Sequence, residues 1–186
     1  MRDVVLLVID TQKGITDERL FAFDRLRQNI MELIALARKS GVEVVFVQHD
    51  DGPGSGFSKG DRAFEIYEDF APAAGERVFV KTVNSALHPS TGLADYLRGK
   101  GIKTIIAVGL QTNYCVDATI HTGFDCGFEM LVPEYTNSTF DNDYMDKEAC
   151  YRYYNEFLWN GRFCRCISMD EARSAISGRH DTGKDA

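Results

Sequence analysis

The sequence predicts a three-layer α/β/α fold, with a six-stranded, mostly parallel sheet wound on both faces in the Rossmann-like manner. Three observations predict it. Short apolar runs alternate with amphipathic helical patterns along almost the whole chain, which is the signature of βαβ units. The 186 residues, 44% of them hydrophobic, can bury a core without disulfide or metal staples. No repeat, linker or change of composition divides the chain. The expectation is therefore one domain over residues 1–178 and a polar tail over 179–186.

The elements follow in order. Val4-Val5-Leu6-Leu7-Val8-Ile9 reads as a buried first strand with Asp10 directly after it. Residues 24–40 place Leu26, Ile30, Leu33, Ile34 and Ala37 on one helical face, and Gly41 ends that helix as a left-handed residue. Residues 42–47 form the second strand, followed by polar His49-Asp50-Asp51. From Asp51 to Gly60 the chain is rich in Gly and Ser and has no periodicity. It reads as a long loop beyond a strand's carboxyl end, where ligand-binding loops of open sheets lie. A helical turn is expected near 63–67. Residues 77–80 form the third strand, with Lys81 at its end. Residues 91–100 read as a helix closed by Gly101, and 104–108 as the fourth strand, followed by Gly109 and a helix over 114–124. The fifth strand, 128–132, is stopped by Pro133. A helix over 144–160 carries Tyr151, Tyr154 and Leu158 on one stripe, and 163–167 is the sixth strand. Ser168-Met169-Asp170-Glu171 fits a capping box that opens the last helix.

Composition excludes several function classes. A formal charge of −7 repels phosphate backbones, so no nucleic-acid partner is expected. No apolar run reaches about 18 residues, so no membrane span is expected. The first apolar run is too short for a signal peptide. Five cysteines, an odd number without a Cys-x-x-Cys spacing, point to reduced thiols and a cytoplasmic setting.

Three reactive side chains occupy equivalent topological places. Asp10 follows strand one, Lys81 ends strand three and Cys115 follows strand four at a helix start. In an open parallel sheet these places converge on the carboxyl edge. A cysteine in the first turn of a helix, with a lysine beside it, is expected to have a lowered pKa and thiolate character.

The segment Gly109-Leu110-Gln111-Thr112-Asn113-Tyr114-Cys115-Val116, with Thr119, resembles the signature of the isochorismatase-like cysteine hydrolases. Asp10 and Gln12 resemble that family's Asp-x-Gln landmark. Lys81, Ser85-Ala86 and Thr91-Gly92-Leu93 resemble the landmark around its lysine. The resemblance runs from about residue 4 to 176. It implies that Cys115 attacks a carbonyl carbon to form a thioester-type intermediate. Asp10 would relay protons, and Lys81 would orient Asp10. It also implies a cis peptide at Leu110–Gln111, with the Gln111 and Cys115 N–H groups facing the oxyanion. Substrate contacts are expected from Gln12, His49 and Tyr114.

These likenesses imply hydrolysis of a C–N bond in a small amide, carbamoyl or ureido compound, without a cofactor, by a homo-oligomer (dimer or tetramer). No metal is expected, because His49 stands without the companion histidines of the nicotinamidase branch. His121 is expected to pack or to lie at an interface. Two alternatives are kept: a vinyl-ether hydrolase acting on isochorismate, and a non-catalytic, redox-sensing α/β module.

Overall fold

The computed structural model describes residues 3–178; the expected polar tail, 179–186, lies outside the described residues. The main sheet path runs β3 (Arg77–Lys81), β2 (Glu43–His49), β1 (Val4–Ile9), β4 (Thr104–Leu110), β5 (Glu129–Pro133) and β7 (Arg165–Ile167). Among the described residues, every ladder between these strands is parallel. The order reverses direction between β1 and β4, which creates the crevice at the carboxyl edge. A seventh, two-residue strand, β6 (Asn137–Ser138), pairs with the end of β4. It escaped the sequence reading because two polar residues carry no strand signal.

Side-chain alternation builds both faces. Val5, Leu7 and Ile9 of β1 enter one core together with Ile105 and Ala107 of β4. That core is covered by α2 (Leu93–Gly99), α3 (Asp117–Asp125) and Trp159. Leu6 and Val8 enter the other, together with Ile106 and Val108. There α1 (Phe23–Ser40) presents Leu26, Ile30, Leu33 and Ile34, and α5 (Met169–Ser177) presents Ala172 and Ile176. Gly41 caps α1 at φ 67, and the capping box at Ser168 and Glu171 opens α5.

The expected helix over 144–160 is shorter and bipartite. Asp146 accepts a hydrogen bond from the Ala149 N–H at 2.7 Å, so α4 begins at Lys147 and runs to Arg152. The chain then widens into π-helical turns over Tyr153–Leu158. Trp159 is fully buried in the core and donates to Asp117 Oδ1 at 2.8 Å. His121 packs on Phe163 with ring centroids 3.9 Å apart. Among the described residues, no helix is long and apolar enough to cross a membrane.

Candidate active site

Strand register sets the site. The sequence reading ended β2 at residue 47, but the strand continues to His49, which pairs with Lys81 at the end of β3. Asp10 follows β1 with φ 49 and donates its N–H to Val47 O at 3.0 Å. Gly109 has φ 128, and a Cβ there would lie 2.0 Å from Ile9 O. Only glycine lets β4 pass so close to the end of β1.

Past Gly109 the Leu110–Gln111 peptide is cis. The chain then enters a wide turn, Thr112–Val116, which carries Cys115 and leads into α3. A buried polar network holds this turn. Thr112 donates to Asn137 Oδ1 at 2.8 Å, and Asn137 donates to Asn155 Oδ1 at 2.9 Å. Thr139 donates to Asn113 Oδ1 at 2.6 Å. Thr119 joins from α3, accepting from the Ala86 N–H and donating to Cys115 O.

Three acceptors surround the Lys81 ammonium, which has three protons to give. Nζ lies 2.7 Å from Asp10 Oδ2, 3.0 Å from His49 Nδ1 and 3.2 Å from Cys115 Sγ. Lys81 and Asp10 are both buried. An ammonium can only donate, so His49 Nδ1 accepts, and the ring proton sits on Nε2. Nε2 lies 2.9 Å from Asp51 Oδ1. The result is a continuous polar chain from Asp51 through His49 and Lys81 to Asp10 and Cys115.

The electrostatics overturn one expectation. Burial pushes the Cys115 thiol up to about 12, and the Asp10 carboxylate adds to the rise. Lys81 opposes both with less effect. The site therefore holds a thiol at neutral pH, not the thiolate expected from the helix start and the lysine. Losing solvent on a half-enclosed sulfur outweighs one ammonium and a partial helix charge. Burial also raises the Asp10 carboxyl above its usual range, against the pull of Lys81. The Lys81 ammonium at 2.7 Å is the charged partner of this buried carboxylate.

Asp10, His49 and Cys115 offer ligand atoms within 4.8 Å of one another, a donor set that could hold a metal ion. The Lys81 ammonium contacts all three and supplies the positive charge such an ion would bring.

Asp10, His49, Gln111, Tyr114 and Cys115 line one cavity of about 260 Å³, completed by Ile15, Asp51, Phe57 and Asn84. Tyr114 stands at its rim, 55% exposed. Gln12 does not line it, which corrects the expected substrate contact. Its amide is fully buried and committed to backbone. Nε2 donates to His49 O at 3.0 Å and Phe64 O at 2.9 Å, and Oε1 accepts from the His49 N–H at 2.7 Å. Gln12 clamps the loop over the site. Ile15 and Asn84 were missed by sequence reasoning, since neither type carries a signal outside its fold context. A larger cleft of about 530 Å³ lies at the opposite sheet edge. Its charges pair among themselves, Arg38 with Glu76 and Lys100 with Glu43, and no nucleophile lines it.

Comparison with known proteins places this geometry. The isochorismatase domain family matches residues 4–160. The uncharacterized isochorismatase family protein YrdC of Bacillus subtilis (strain 168) is 32% identical over 127 residues, 67% of each chain. The ureidoacrylate amidohydrolase RutB of Yersinia enterocolitica is 28% identical over 204 residues, with 88% of each chain covered. A crystal structure of an isochorismatase family protein superposes with a TM-score of 0.82 at 28% identity, covering 90% of this chain and 99% of that one. With the domain matched over most of its length and the sheet, crevice and cysteine turn in place, this chain belongs to the isochorismatase family.

Proposed function

We propose that this isochorismatase-family hydrolase cleaves a C–N bond of a small amide, carbamoyl or ureido compound through a thioester-type intermediate on Cys115. The observation that carries the reading is the Lys81 ammonium, placed 2.7 Å from Asp10 and 3.2 Å from Cys115 Sγ at the edge of one small cavity. The amidohydrolase named among the relatives supports the bond type.

In this reading Cys115 rests as a thiol and is deprotonated only as it attacks. Asp10, whose carboxyl burial raises, accepts that proton while Sγ bonds to the carbonyl carbon. A base poised nearer neutrality is better suited to giving the proton back. The Gln111 and Cys115 N–H groups are assigned to the oxyanion. The tetrahedral species collapses as Asp10 protonates the departing nitrogen, leaving a thioester. Asp10 then takes a proton from water, the hydroxyl adds to the thioester, and the acid leaves with the thiol restored. Lys81 holds Asp10 in place and keeps its proton affinity from rising further.

A panel of small amides and ureides, assayed for ammonia release, tests the reading. With a turned-over substrate, Cys115→Ala should lose about 10³-fold or more in kcat. Rapid acid quench and mass spectrometry should show the acyl group on the Cys115 peptide. Substantial turnover by Cys115→Ala would remove Cys115 as nucleophile.

A further inference from the structure

We propose that the cavity selects substrates whose non-reacting end is positively charged, with Asp51 as the group that recognises it; this rests on the C–N hydrolase reading above. The Lys81 ammonium at 3.0 Å obliges His49 Nδ1 to accept, so the imidazole bears its single proton on Nε2 and is neutral. It donates that proton to Asp51 Oδ1 but brings no positive charge to cancel the carboxylate. Lys81 is already balanced by Asp10, an ion pair at 2.7 Å with both side chains buried. The sum over the cavity is one uncompensated negative charge, located on Asp51.

No described residue lining the cavity offsets it. Apart from the buried Lys81, no lysine or arginine meets the cavity among the described residues. Lys13 and Lys59 are not among its lining residues. Lys13 is engaged by Glu65 at 2.6 Å and Glu68 at 2.8 Å, and Lys59 is exposed. The remaining lining bears no formal charge: Ile15 and Phe57 are apolar, Asn84 and Gln111 are amides, and Tyr114 is a phenol. The Asp51 side chain is 54% exposed, and among the described residues its second oxygen carries no ion pair, so it remains available to a ligand.

A substrate carboxylate would thus enter a small space with a negative charge at its mouth and no cation to receive it. An ammonium or guanidinium would find the Asp51 carboxylate and the Phe57 and Tyr114 rings in the same lining. The volume, about 260 Å³, lies below the usual range for drug-sized ligands, about 300–1,000 Å³. The substrate is therefore a short amino-amide or a similarly compact cationic ureide.

Two measurements test this. The first compares kcat/KM for 4-aminobutanamide, pentanamide and succinamate, near-isosteric amides that are cationic, neutral and anionic. The expected order is cationic, then neutral, then anionic, with each step about tenfold, the size of one partly screened charge a few ångströms away. Asp51→Asn should compress the series, chiefly through KM. The second needs no turnover. Cys115 is modified with the trimethylammonium-ethyl and the sulfonatoethyl methanethiosulfonates, and each rate is divided by that of a free thiol and localised by peptide mapping. The cationic reagent should be favoured at least about tenfold, and Asp51→Asn should cut that preference severalfold.

Equal or faster modification by the sulfonate, or a preference that Asp51→Asn leaves intact, overturns the proposal. If no amide or ureide is hydrolysed while the reagent preference behaves as expected, the hydrolase reading fails and the charge selection stands. If the amides are hydrolysed without charge order and the reagents show no preference, the reverse holds.

Discussion

Replacing Lys81 by Met removes the ammonium from Asp10 while keeping most of the buried volume. Both partners are almost fully enclosed, at 0% and 1% side-chain exposure, so water cannot take over the lost contact. Leaving one partner of a buried pair costs about 3–5 kcal/mol when its charge persists. In a chain of this length each kcal/mol moves Tm by about 2–4 °C, so the fall should be about 10 °C, within a span of roughly 6–20 °C. Its pH dependence is more diagnostic. Burial already holds the Asp10 carboxyl above its usual value of 3.8, and Lys81 opposes that rise. A raised carboxyl stabilises the fold through its retained proton. That contribution is complete below the unfolded value and is lost as pH rises through the folded one. Without Lys81 the folded value climbs further, so Lys81→Met should be nearly silent near pH 4 and most destabilised near pH 8. Adding Asp10→Asn, which carries no charge at any pH, should return several degrees at pH 8 and almost none at pH 4. Thermal unfolding of the four proteins at both pH values closes the cycle. An equal loss at pH 4 and pH 8, or a double variant less stable than Lys81→Met alone at pH 8, would refute the ion-pair account.

Three further outcomes follow from particular contacts. Gly109→Ala brings a Cβ to 2.0 Å from Ile9 O, a backbone atom that cannot swing aside, at a φ that costs a non-glycine residue about 1–3 kcal/mol alone. It should unfold at least about 10 °C below wild type, and an unchanged melting curve would show that the strands separate freely there. Gln12→Leu takes the side-chain acceptor from the His49 N–H and one donor each from His49 O and Phe64 O, the latter still held by Gln48 Nε2 at 2.7 Å, and should cost about 1–3 kcal/mol in urea unfolding; a loss below about 0.5 kcal/mol would mean water replaces the clamp. Cys115, with its thiol pushed up to about 12, should react with iodoacetamide at pH 7.5 more slowly than a free thiol. Its rate should still climb beyond pH 9, whereas an inflection below pH 8 would restore the thiolate assignment.

The strands were legible because burial on both faces leaves unbroken runs such as Val4–Ile9, whose period needs no tertiary knowledge. Helix ends were legible where capping chemistry is local, as at Gly41 and at Ser168 with Glu171. They failed where it was not. Asp146 was an available cap inside a plausible helix, and only the structure shows its carboxylate taking the Ala149 N–H. β6 and the network through Thr112, Asn137 and Asn155 were out of reach for a different reason. Polar residues read as loop, yet these close a hydrogen-bond circuit with partners 18 to 25 positions away.

The candidate site divides along the same line. Asp10, Lys81 and Cys115 were legible as positions, since each follows a strand and parallel strands share an edge. Their protonation was not, because it depends on enclosure, a property of the packed whole. A helix terminus contributes about half a charge, an effect that fades within a turn. Desolvation acts on the whole charge of a thiolate. With Asp10 beside the sulfur, adding a second negative charge is opposed twice, and Lys81 divides its attraction among Asp10, His49 and Cys115. The same sharing fixes the His49 proton and leaves the Asp51 charge unanswered at the cavity mouth. One buried ammonium therefore governs both the proton inventory of the candidate nucleophile and the sign of the field met by an entering ligand.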